Sequence, residues 1–396
     1  MFDNNSFNQD PFDFLVAFKS KHELTNSSQP FFDLDEFIHK SSDWVFGYLT
    51  YDLKNDIEYL SSKNPDYQLF PRIHFFNAEI IIKIKKNLVT ILYDTKYSSS
   101  EIDDLFNQIC KISVINNVLN KIQMKPRVSK DDYIKNIVDI KKHLQLGDIY
   151  EMNYCQEFYA ENVKLDPFLL FTKLNQISKA PFSSFYKLNN HFCLCASPER
   201  YLKKRGNKII SQPIKGTIKK LEDEISDFEQ QKILLNSSKD FSENVMIVDL
   251  VRNDLSRIAS KNSVKVDELA ALYTYKDLHH LISTISCDMD MSKNIVDVLR
   301  ATFPMGSMTG APKIRAMELI DKFEITLRGI YSGAIGYISP QNDFDFNVVI
   351  RSVFYNQQSE YLSFMVGGAI TIDSVPEQEY EECLVKAKSI FKVLSQ

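Results

Sequence analysis

Four carboxylates fall at helical spacing in two segments of this chain. In "KDFSENVMIVDL" Asp240 and Glu243 are three residues apart. In "PEQEYEECLVKA" Glu379 and Glu382 repeat that spacing, with Lys386 one turn further on the same side. Residues three or four apart share a helix face, so each pair is either a solvated cluster near a helix N-terminus or half of a cation site. Glu243 runs directly into an apolar stretch, and a carboxylate bordering a buried element needs a partner. Two such pairs, leaving positions open for water and an anionic substrate, suit magnesium better than zinc.

Basic groups occupy equally marked places. Lys215, in "SQPIKGTIKK", lies between Pro-Ile and Gly-Thr, where a buried strand reads as turning into a loop. Lysine seldom sits in an apolar turn without a partner, so it is either a solvated loop charge or a lysine placed for chemistry. Arg351, in "NVVIRSV", is a charge within an otherwise apolar strand, either a bidentate carboxylate clamp or half of a buried ion pair. His280 follows His279 and precedes an apolar run, a setting in which histidine is more often structural than catalytic. Two loops lead into helices and offer free backbone amides to an anion: "FPMGSMTGAPKIRAMELI", with a helix start at Pro312, and "FMVGGAITIDSVPEQE", where Gly367 and Gly368 permit close approach. Neither matches a phosphate-binding P-loop, and no Gly-x-Gly-x-x-Gly follows a strand.

These groups need a scaffold of interleaved strands and helices. "SKDDYIKNIVDIKKHLQLG" reads as an amphipathic helix capped by Ser129 and stopped by Gly147, and "DPFLLFTKLNQIS" as one opened by Asp166 and Pro167. One or two helices are expected within 96–122, and others around "SSKDFSENVMIVDLVRNDLSRIA", near 292–302 and 311–322, and over "PEQEYEECLVKAKSIFKVL". Strands are expected in hairpin-like pairs across 183–218 and at "GAIGYIS", "DFNVVIRSVFYN" and "YLSFMVGGAITID". Paired strands favour mixed antiparallel sheets flanked by helices, an α+β architecture, over a doubly wound parallel sheet. "QMKPRVSKDDY" marks a boundary between an N-terminal subdomain, 1–125, and a catalytic region, 126–396. A net charge of -5 gives no reason to expect nucleic acid, and no stretch approaches the ~18 apolar residues of a membrane span. The N-terminus is acidic and polar, unlike a secretory signal, and the six scattered cysteines lack metal-ligand spacing. Reduced thiols in a cytoplasmic protein are the expectation.

Taken in order, "SPER" at 197–200, "PIKGT" at 213–217, "ENVMIVDLVRNDLSRI", "HLIS", "FPMGSMTGAPKIRAMELID", "RGIYSGAIGYIS", "VVIRS" and "GGAITIDSVPEQEYEECLVKA" resemble the chorismate-utilising enzymes. That group includes the first components of anthranilate synthase and aminodeoxychorismate synthase. The resemblance runs strongly from about 130 to 390 and weakly through "WVFGYLTYDL". It implies the anthranilate synthase component I-like fold of two stacked, mainly antiparallel sheets with helices outside, and a magnesium-dependent chorismate site. Glu243 and Glu382 would be direct metal ligands, and Asp240 and Glu379 would reach the metal through water. Asp240 stands where a glutamate is expected. The resemblance places Arg351, Tyr331 and the backbone near Gly367 on the enolpyruvyl carboxylate, and Lys386, Thr217 and Thr309 elsewhere in the pocket.

Lys215 separates members of the group. Pro-Ile-Ala-Gly-Thr is usual in anthranilate synthases and Pro-Ile-Lys-Gly-Thr in aminodeoxychorismate synthases. The implied activity is therefore amination of chorismate at carbon 4 with ammonia from a separate glutamine amidotransferase subunit. A desolvated lysine of lowered pKa would attack carbon 2 as a covalent nucleophile. Glu199 would serve as general acid for the departing hydroxyl, and His280 would orient or assist proton movement. The alternatives are amination at carbon 2 with pyruvate loss, as in anthranilate synthase, and an inactive partner subunit of a glutaminase. Glu151, in "GDIYEMNYCQ", departs from the glutamine of ammonia-using relatives and from the lysine of water-using ones, and no role for it follows from the sequence.

Overall fold

A computed structural model describes residues 1–5, 11–112, 120–275 and 278–395. Part of the helical segment expected within 96–122 lies outside the described residues; the described part forms the helix Ser99–Lys111, opened by a capping box at Ser98. Among the described residues every strand pairing is antiparallel, and nineteen strands join into one network. The N-terminal region contributes directly, since Val45–Leu49 pairs with Ala334–Ile338. Helices cover two large apolar cores. One includes Leu49, Ile247, Leu255, Ile285 and Phe346, and the other Tyr133, Ile140, Met152, Phe364 and Val393.

Local signals account for most helix starts. Ser129 accepts from the Asp132 amide and opens Lys130–Gln145, whose Tyr133, Ile137, Ile140 and Leu144 face the second core. Asp166 accepts from the amides of Phe168 and Leu169 and opens Pro167–Ser178. The strand Glu151–Ala160 is buried on both faces and pairs along its length with Tyr361–Ile370. It carries Glu151, Asn153, Gln156 and Glu157 into the interior alongside its apolar residues. At Gly367 a β-carbon would lie 2.1 Å from the Tyr154 carbonyl oxygen, so only glycine lets these strands close.

Two expected elements divide. "DFNVVIRSVFYN" is two strands, Phe344–Val348 and Ser352–Asn356, because Arg351 adopts φ 53°. The break transfers the chain from pairing with Ala334–Ile338 and Arg200–Arg205 to pairing with His191–Ser197 and Tyr361–Ile370. A left-handed conformation costs a non-glycine residue about 1 kcal/mol or more, and such residues cluster at ligand sites. The closing helix is likewise Pro376–Lys386 followed by Lys388–Leu394.

Candidate active site

A cleft lies between the two cores, with Met308 and Tyr331 of the first and Val366 and Ile390 of the second in its wall. The helix Ser238–Ser256, capped where Ser237 accepts from the Asp240 amide, brings Lys239, Asp240 and Glu243 to it. Glu382 and Lys386 enter from Pro376–Lys386, and Lys215 and Thr217 from the strand Ile214–Lys219. Thr217 pairs in register with His280 on Leu278–Asp288. Glu199, Tyr331, Arg351 and Gly367 also line the cleft.

Three residues of the expected site stand behind this wall. Glu379 is buried and accepts from Ser374 Oγ at 2.7 Å and Lys239 Nζ at 3.1 Å. Thr309 is fully buried, and its hydroxyl donates to the carbonyls of Met305 and Gly306. Gly368 leaves room for charged ends. A β-carbon there would lie 3.3 Å from Glu379 Oε2, 3.5 Å from Lys386 Nζ and 3.6 Å from Glu382 Oε1.

Burial dominates the electrostatics. It pushes Glu199 up to about 7, against the opposing influence of Ser307, Lys215, Arg351 and Lys386. Ser307 Oγ donates to Glu199 Oε1 at 2.6 Å. A carboxyl that still holds its proton near neutrality can act as a general acid. Burial pushes His280 down to about 3, with Arg351 and His279 adding to the shift. The imidazole is therefore neutral; its Nδ1 meets Thr217 Oγ1 at 2.9 Å, and its buried Nε2 has no partner among the described residues. Arg351 is half-buried in the cleft wall, makes no ion pair among the described residues, and has its pKa lowered by desolvation.

Lys215 corrects the expectation of a lowered lysine pKa. Burial alone would depress it, but Glu151, Glu243 and Glu199 together outweigh that effect and raise it. Its Nζ donates to Glu151 Oε1 at 2.6 Å and lies 4.0 Å from Glu243 Oε2. The resting side chain is an ammonium and must lose a proton before it can attack. Sequence reasoning assigned Glu151 no role and missed Ser307, Lys239 and Asn244. A hydroxyl within "GSMTG" was the available hint for Ser307. Asn244 Nδ2 donates to the Lys215 carbonyl at 2.9 Å, a contact no spacing rule shows.

The carboxylates suit a divalent cation chemically, although among the described residues no three His, Cys, Asp or Glu side chains already form a metal cluster. Glu243 is buried, and the ammonium groups that reach it are distant: Lys239 at 3.9 Å and Lys215 at 4.0 Å. Burial pushes its pKa up to about 7, the mark of an undercompensated anion. Lys239 also reaches Glu379, so a cationic group already joins the two acidic helices.

Aminodeoxychorismate synthase component 1 of Salmonella typhimurium is 41% identical over 267 residues, 67% of this chain and 58% of that protein. Anthranilate synthase component 1 of Acetivibrio thermocellus is 30% identical over 371 residues, 88% of this chain and 74% of that protein. The chain thus aligns with less than two thirds of the length of the first of these relatives. The crystal structure of anthranilate synthase component I from Streptococcus pneumoniae superposes with a TM-score of 0.85 at 26% identity, covering 97% of this chain and 93% of that one. The anthranilate synthase component I-like fold is therefore the fold of this chain. The chorismate binding enzyme family matches residues 4–392, nearly the whole length, and the chain belongs to that family.

Proposed function

We propose that this chain aminates chorismate at carbon 4, giving 4-amino-4-deoxychorismate, the reaction class named for its aminodeoxychorismate synthase relatives. The observation that carries this reading is Lys215, buried in the cleft wall with Glu199 facing the same space. Lys215 attacks carbon 2 as an amine, the two ring double bonds shift, and the carbon 4 hydroxyl leaves as water with the proton of Glu199. Ammonia then adds at carbon 4, the double bonds shift back, and the lysine departs. Arg351, Tyr331 and the Gly367 backbone grip the enolpyruvyl carboxylate, and Thr217 and Lys386 complete the pocket. His280, neutral and anchored by Thr217, orients the ring through Nε2.

A magnesium ion held by Glu243 and Glu382, supported by Asp240 and Glu379, would neutralise the ring carboxylate of chorismate. The name "component 1" on the relatives favours a separate glutaminase subunit as the ammonia source. No helix among the described residues is long and apolar enough to cross a membrane. Six free cysteines favour the reducing cytoplasm as the working compartment.

The test is product identity from chorismate, ammonium and magnesium. 4-Amino-4-deoxychorismate retaining its enolpyruvyl group is expected; anthranilate with released pyruvate would overturn the reading. A second expectation concerns the metal alone. Magnesium should raise the melting temperature, with a stabilisation of about 2.7 kcal/mol at 100 times its Kd. In Glu243→Gln that rise should disappear, whereas an undiminished rise would place the cation elsewhere.

A further inference from the structure

The Lys215–Glu151 contact is more than a buried ion pair, because its two halves are built differently. Glu151 is 1% exposed and opens the strand Glu151–Ala160. Its backbone is fixed by register pairing with Ala311, and the Tyr150 amide donates to the Ala311 carbonyl at 2.7 Å. Lys215 is fixed separately by Asn244 on the helix Ser238–Ser256. The 2.6 Å hydrogen bond is therefore held between anchors on distinct elements. One oxygen of Glu151 receives the lysine; the other, Oε2, is buried without a hydrogen-bond partner among the described residues. Lys215 is thus the one hydrogen-bond partner of this carboxylate among the described residues, at a distance across which a proton can pass directly.

We propose that Glu151 is the positioning residue for Lys215, aiming its nitrogen at the ring and taking the proton it must shed. This inference rests on the carbon 4 amination reading. The proton passes from Nζ to Oε1, and the freed lone pair forms the bond to carbon 2. The ring double bonds shift, the carbon 4–oxygen bond breaks, and Glu199 supplies the proton that makes the leaving group water. When ammonia has added at carbon 4, the carbon 2–nitrogen bond breaks toward nitrogen. Glu151 then returns its proton to the departing amine, and the ammonium now on carbon 4 reprotonates Glu199. Charge and atoms balance over the cycle, and no oxidant or reductant is required.

Glu151→Gln tests this, since it preserves bulk and an oxygen that can accept from Nζ but cannot take up a proton. The expected result, with purified chain, chorismate, ammonium and magnesium, is a fall in kcat of about a hundredfold. KM for chorismate should stay within about twofold, because a proton acceptor acts on the chemical step. The rate of covalent adduct formation, followed by intact mass with ammonium omitted, should fall by the same factor. Glu151→Asp, which keeps the acid on a shorter arm, should recover part of both rates. A merely structural carboxylate would move the melting temperature or KM and leave the adduct rate of the folded variant unchanged. Glu151→Gln with wild-type kcat and adduct rate overturns the inference while wild type still makes the 4-amino product. Wild type yielding no such product, or a fully active Lys215→Ala, overturns the functional reading itself and this inference with it.

Discussion

Lys215→Ala is expected to lower amination by about a thousandfold or more while leaving chorismate affinity within about threefold, a loss of roughly 4 kcal/mol in transition-state stabilisation. The asymmetry follows from position. Lys215 meets Glu151 and Glu243 in the cleft wall, whereas the groups proposed to grip the substrate, Arg351 and the Gly367 backbone, belong to other strands and turns. The truncation has a second consequence, because removing one partner of a buried ion pair typically destabilises by ~3–5 kcal/mol. Glu151 would be left as an uncompensated buried anion. Lys215→Ala/Glu151→Gln, which removes both charges, should regain much of that stability in thermal melts and remain inactive. Wild-type turnover in a folded Lys215→Ala protein would exclude covalent catalysis by this lysine.

Glu199→Gln carries the other large effect, a loss of about 10²- to 10⁴-fold in kcat, the usual worth of a positioned general acid. Its pH dependence has a definite sign. With Glu199 pushed up to about 7, the wild-type rate should decline as pH rises through that value and the acid empties. That limb should vanish in Glu199→Gln. Stability follows the same group: between its ordinary value near 4.5 and about 7, the folded carboxyl holds more proton than the unfolded one. Its contribution is therefore fully present below the unfolded pKa and lost as pH rises through the folded one. Glu243 is pushed up to about 7 as well, so the informative quantity is the difference between wild type and Glu199→Gln at saturating magnesium. Parallel stability curves for the two proteins from pH 4 to 8 would contradict the assignment.

Elements governed by local rules were legible in the sequence. Ser129 and Asp166 act through side-chain-to-backbone bonds a few residues long, so their helices begin where composition places them. The division at Arg351 was hidden, because β-branched neighbours on both sides favour extension and only the change of strand partners imposes the left-handed residue. The site divided along the same line. Lys215, Glu243 and Glu382 stand out by type and setting, Glu199 only through the resemblance of its motif, and the cleft collects all four. The charge state of Lys215 did not, since it depends on Glu151, 64 positions away in sequence. Burial alone argues for a lowered pKa, and only the fold supplies the carboxylates that reverse it. Thr309 shows the converse: a hydroxyl in a small-residue loop suggests a ligand contact, yet the tight turn Gly306–Met308 uses it to satisfy its own carbonyls.

The central claim is that Lys215 forms a covalent bond to the substrate ring, and mass measurement after rapid quenching reads it directly. Purified chain mixed with chorismate and magnesium, without ammonium, should gain the mass of chorismate less one water. The added mass should lie on the peptide containing Lys215 and disappear when ammonium is supplied. A protein that turns chorismate over with ammonium yet never carries that mass at Lys215 would contradict the claim.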